Sequence, residues 1–150
     1  MENIFDKKTS DKIIARIEKL RPDTAPVWGK MTVSQMLAHC CITFEFIYEK
    51  NHPKPNKFKA LMLNLFVKNI VVGEKPYKTN SRTAPEFIIA DSRDFDNEKE
   101  RLIAYIKKTQ ELGESYFNNK ESHSFGVLTA TEWNNMFYKH LDHHLHQFSV

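Results

Sequence analysis

Cysteine is almost missing from this 150-residue chain, which holds only Cys40 and Cys41. Neighbours on a helix cannot reach ordinary disulfide geometry, so a disulfide framework is excluded and the pair reads as buried thiols in a reducing compartment. Four glycines and six prolines are too few for a collagenous or low-complexity chain. Neither sign of charge dominates: 22 Lys and Arg stand against 19 Asp and Glu, a formal charge of +3, and the basic residues come singly. No nucleic-acid partner is therefore expected. Long hydrophobic runs are missing too. The stretches 61–67 and 70–72 are broken by Asn64, Lys68 and Asn69, well short of a bilayer span, so no membrane partner is expected. The first residues carry charge without the apolar core of a signal peptide, which points to the cytoplasm.

What is present is a composition that folds. Hydrophobic residues make up 41% and aromatics 12%, enough for one compact domain over residues 1–150. Ile13, Ile14, Ile17 and Leu20 recur at helical spacing over about 10–20, with Pro22 just beyond. Thr32 and Gln35 form a capping box, and Met31 with Met36 a hydrophobic staple, for a second helix over about 33–50. Residues 51–57 are loop chemistry. Phe58, Leu61, Met62, Leu65 and Phe66 then mark a shorter helix, a core or dimer contact that stops at Gly73. Residues 74–92 have no helical period, and Phe87-Ile88-Ile89 reads as briefly extended; a loop this long either is functional or packs across the bundle. From Asp94 a long amphipathic helix places Phe95, Leu102, Ile106, Thr109 and Gly113 on one face. Thr129 with Glu132, and Leu128 with Trp133, repeat the box and staple for a last helix to about 147. Strand signal is nearly absent, so the fold class is all-α: a four-helix bundle with an extra short helix and a long loop between its second and third principal helices.

Four of the seven histidines fall in the last helix, at 140, 143, 144 and 146. At 100° per residue, His140 and His144 join the apolar face of Trp133, Phe137, Leu141 and Phe148, whereas Asn135, Lys139, Asp142 and His146 fall on the opposite, solvent side. Two imidazoles at i and i+4 can hold one metal ion from a single helix. His39 flanks the apolar face of the second helix and is the candidate third ligand, ahead of His52 and His123 in loops. A lone inward histidine is also a common hydrogen-bonded core residue, and Cys40, central in its apolar stripe, reads as inert core. Thr43 and Gln147, each one turn from a candidate ligand, could orient ligands or substrate, or simply pack. No Glu follows His140 as it would in a zincin, which removes the protease reading.

The segments Trp28–His39, Arg93-Asp-Phe95, Ser122–Gly126 with Leu128-Thr129 and Glu132-Trp133, and Tyr138–Phe148 together resemble the DinB-like family, in a branch of unknown function. The similarity runs over nearly the whole chain and is most specific at Leu-Ala-His39 and His140-x-x-x-His144. It implies a four-helix bundle with a divalent metal on three histidines, which match His39, His140 and His144. It also implies use of a low-molecular-weight thiol in transfer or isomerisation. Three imidazoles fit zinc, taken as the default, as well as nickel, iron or manganese. Two functions follow. One is a metal-dependent enzyme that activates a small thiol or water toward a small electrophilic substrate, as a thiol S-transferase or hydrolase. The other is a non-catalytic metal-binding bundle with a structural or stress-related role, dimeric through residues 58–72.

Overall fold

The computed structural model describes residues 1–49 and 51–150. Among them the chain forms six helices and one two-stranded hairpin: α1 (Lys7–Glu18), α2 (Val33–Tyr48), α3 (Lys57–Phe66), α4 (Lys68–Val72), α5 (Phe95–Phe117), β1 (Lys120–Glu121), β2 (Val127–Leu128) and α6 (Ala130–Gln147). Helices α1, α2, α5 and α6 pack on one another as the bundle. The expected end of α2 at Lys50 lies outside the described residues.

Helix starts follow local chemistry. The Thr32 hydroxyl accepts from the Gln35 N–H while the Gln35 side chain accepts from the Thr32 N–H, and Thr129 with Glu132 does the same for α6. Asp94 caps α5 through the Asn97 N–H. Helix α1 begins three residues earlier than its apolar period suggests, because the Asp6 carbonyl accepts from Thr9 and Ser10, polar residues that are nonetheless buried. Every residue from Met36 to Glu45 is buried, so α2 is the central helix and needs no polar face.

An aromatic spine fills the centre. Phe137 stacks on Phe44 at 5.0 Å and on Trp133 at 5.5 Å, and meets the Phe117 edge at 5.5 Å.

Four local features depart from the sequence reading. Gly113 takes φ +71°, breaking α5 near its end instead of continuing its apolar face. The short helix over 58–73 is two helices, divided at Val67. Residues Pro85–Phe87 form a 3₁₀ turn, leaving Ile88 extended. The β1–β2 pair, two residues per strand, is too short to carry a period.

The largest correction concerns the supposed solvent side of α6. Asn135 and Lys139 are buried, because α4 folds over them: Asn135 donates to the Val72 carbonyl, and the Lys139 ammonium donates to the carbonyls of Ile70 and Gly73. These are end-of-helix acceptors with no partner inside α4, so a cation satisfies them and meets the negative end of the helix dipole. Burial pushes the Lys139 ammonium down to about 8.

Candidate metal centre

Two helices converge on one point. His39 comes from the middle of α2, and His140 and His144 sit one turn apart on α6; one ring nitrogen of each lies within 4.8 Å of the others. The ring centroids are 4.8 Å apart for His39 and His140, 4.6 Å for His39 and His144, and 4.9 Å for His140 and His144. Such a set could hold a metal ion. Among the described residues, no thiol or carboxylate joins the group as a fourth ligand.

The other nitrogen of each ring is already held. His39 Nδ1 lies 2.8 Å from the Phe87 carbonyl oxygen, which can only accept, so this nitrogen carries the proton and Nε2 is left bare. His144 Nδ1 lies 2.8 Å from Gln147 Oε1. The amide's orientation is fixed independently, since Gln147 Nε2 donates to the Trp28 carbonyl at 2.7 Å. Oε1 therefore faces His144 as an acceptor, and His144 Nε2 is bare too. His140 Nδ1 meets the Thr43 hydroxyl at 3.0 Å, a group that can donate or accept. Partners of this kind, holding the far side of each imidazole, are what orients metal-binding histidines.

His39 Nε2 and His140 Nε2 stand 2.8 Å apart. Two bare lone pairs at that distance repel, so a proton lies between them. His140 then donates through Nε2 and accepts the Thr43 hydroxyl proton at Nδ1. Were a metal held by His140 Nε2, the ring proton would sit on Nδ1 and be donated to the Thr43 hydroxyl. Thr43 serves both tautomers, which Ala or Val at this position could not.

Electrostatics keep the cluster neutral. Burial lowers the His39 pKa, against the opposing pull of the Phe87 carbonyl. Burial, and then the neighbouring imidazoles, hold His140 well below its ordinary range. His144 is pushed down to about 3, mainly by burial. Neutral imidazole is the form that binds metal, so little proton competition is left at neutral pH.

Backbone geometry reaches the same point. Gly29 has φ +83°, and a Cβ there would come 2.7 Å from Gln147 Nε2. Only glycine lets the chain pass close enough for the Trp28 carbonyl to hold the Gln147 amide.

The structure brings His39, His140 and His144 together and sets Thr43 and Gln147 against them. It places the other histidines elsewhere. His143 is half-buried beside His144, between the rings of Trp28 at 5.7 Å and Tyr77 at 5.6 Å. His146 is exposed and bonds the Asp142 carbonyl, while Asp142 itself pairs with Arg16 at 2.7 Å. His123 stacks on Phe46 at 4.2 Å, and His52 bonds Glu45 at 2.7 Å. Glu45 also takes Arg101, which in turn binds Glu98, so this second polar cluster is internally paired. Cys40 and Cys41 are buried and burial pushes both thiols up, as inert core requires.

Sequence reasoning missed Phe87 and Tyr77. A backbone carbonyl leaves no trace in residue identity, and the only available signal was the length of the 74–92 loop. That loop does pack across the bundle: the Phe87 ring lies 5.6 Å from His39 and 6.1 Å from His140.

A family model described as "Protein of unknown function (DUF1569)" matches residues 4–150. No curated protein and no solved structure matches the chain.

Proposed function

The chain belongs to the DUF1569 family, and we propose that its histidine cluster is a divalent-metal site of DinB-like type serving a metal-dependent enzyme. The observation that carries this reading is the set of three second partners. The Phe87 carbonyl, the Thr43 hydroxyl and the Gln147 amide each hold one Nδ1, so three Nε2 atoms are offered to one centre. Three imidazoles without a fourth protein ligand leave coordination room, the arrangement of catalytic rather than structural zinc sites. A metal bound there would supply Lewis acidity, lowering the pKa of a small thiol or of water so that either becomes a nucleophile. The chain's own residues hold the imidazoles neutral and rigid, and the Thr43 hydroxyl would accept the His140 proton at Nδ1 were Nε2 engaged by a metal. Tyr77 and Phe87 border the cluster with aromatic surface suited to a small, weakly polar electrophile. Zinc is the first metal to test, with nickel, iron and manganese next.

The test is metal content by plasma mass spectrometry on protein purified without a histidine tag. About one metal per chain is expected, lost in His39→Ala and His144→Ala and kept in His146→Ala. No stoichiometric metal after reconstitution with zinc, nickel, manganese and iron(II) overturns the proposal.

A second reading, a non-catalytic metal-binding bundle, is favoured by one observation. His39 and His144 keep only 4% and 8% of full exposure, so little of the cluster faces solvent. Cobalt(II) substitution separates the two readings. Visible bands that shift when a small thiol is added show an exchangeable position, as the enzyme reading requires; unchanged bands favour the second reading.

A further inference from the structure

Helix α3 buries none of its residues. Phe58, Leu61, Met62, Leu65 and Phe66 all face solvent, with Phe58 at 74% and Phe66 at 65% of full exposure, and Ile70 of α4 extends the patch. At 100° per residue the five α3 side chains occupy an arc of about 140°, with Lys57 and Lys59 at its two edges. Spacings of i, i+3, i+4, i+7 and i+8 make a seam shaped for another helix. Contiguous apolar surface of this kind on a folded chain marks an interaction site.

We propose that this face packs antiparallel against α3 of a second copy of the chain, about a two-fold axis passing between Leu61 and Met62.

Charge selects both the occupant and its direction. No acidic residue occurs between 51 and 73, so a parallel pairing would set lysine against lysine. An antiparallel pairing instead lays Lys57, which has no ion pair of its own among the described residues, along the end of its mate's α3, where the last carbonyls carry the negative end of the helix dipole. Three of the four lysines in this stretch are also poorly placed to recruit an anionic lipid surface. Lys54 pairs with Glu121, Lys59 with Glu86 and Lys68 with Glu132, all within the same chain. What these pairs leave free is the apolar seam itself, which suits a partner presenting the same seam. In a two-fold contact each α3 supplies exactly that surface to the other.

Sedimentation velocity over a concentration series, on the full chain, should give a species of twice 17.7 kDa. Leu61→Asp with Leu65→Asp should weaken association by at least about a hundredfold, since charge is then buried at the centre of the contact. Helical circular dichroism should not change, and the melting temperatures should agree at dilutions where both proteins are monomeric, because both side chains are exposed in the single chain. The register has its own test. Oxidation with copper phenanthroline should cross-link Met62→Cys to itself and leave Phe58→Cys monomeric, because two copies of position 58 would lie about 10 Å apart along the axis. The native thiols are buried and do not compete. A chain that is monomeric at every concentration, a dimer that survives the double substitution, or equal cross-linking at position 58 would each overturn the proposal. So would recruitment of the monomer to phosphatidylserine vesicles that is lost in Leu65→Asp, which would assign the face to lipid.

Discussion

Helices α6 and α3 carry similar apolar patterns and meet opposite fates. On α6 the stripe of Trp133, Phe137 and Leu141 is sealed in the core, and the histidines that interrupt it have a partner for each Nδ1. On α3 the stripe of Phe58, Leu61 and Leu65 meets water. Hydrophobic period alone does not say whether a face is sealed by its own chain. That depends on which other elements can reach it: α6 lies in a layer with α1, α2 and α5, whereas α3 follows a proline-bearing loop and leans chiefly on α4.

The sharpest break in this comparison comes from truncating matched aromatic and aliphatic groups. Phe137→Ala should cost about 3–5 kcal/mol in urea denaturation, since it empties a fully enclosed ring site. Leu61→Ala should change the stability of the single chain by less than about 0.5 kcal/mol, measured at low protein concentration.

Acid should act through the histidines of α2 and α6 and spare α3. The three cluster histidines have folded pKa values below their unfolded value near 6.5, so the unfolded chain binds protons that the folded chain refuses. Stability is therefore full above about pH 6.5 and falls as pH drops; for His144 the fall continues down to about 3. The slope reaches at most about 1.4 kcal/mol per pH unit for each such histidine. Chelator-treated protein, melted at intervals from pH 7.5 to 4, should show the fall, and His144→Gln should flatten it. An unchanged profile in that variant would mean that His144 is not held neutral by its surroundings.

A smaller effect probes how the cluster is supported. Gln147→Ala leaves all three imidazoles in place but removes the acceptor for His144 Nδ1. Metal affinity, read by competition with a chromophoric chelator, should weaken by about 10- to 100-fold. Gly29→Ala should act in the same direction without touching a histidine, because its Cβ would displace the Gln147 amide. A variant at Phe58 should leave the affinity unaltered.

Much of the bundle was legible because its signals are local. The two capping boxes, Thr32 with Gln35 and Thr129 with Glu132, form as their spacing dictates. The choice of His140 and His144 over His146 also follows from helical geometry alone, and the structure puts the first two beside His39 and leaves His146 in solvent. The same wheel failed for Asn135 and Lys139. It reports one helix in isolation and carries no information on α4, whose terminal carbonyls turn an apparent solvent face into a buried polar contact. Of the two readings of 58–66, core or dimer contact, the structure removes the first for the converse reason, since a correct amphipathic helix had no place to dock within its own chain.

By itself the sequence determined where the capped helices α2 and α6 begin, which side of each is apolar, and which histidines share a face, because these depend on residues within a turn or two of one another. Only the tertiary structure decided that His39 meets His140 across 101 positions of sequence, that the Phe87 carbonyl and the Gln147 amide fix the ring protons, and that α3 is left uncovered. Those outcomes depend on distances between elements far apart in the chain, which close packing sets and local spacing cannot encode.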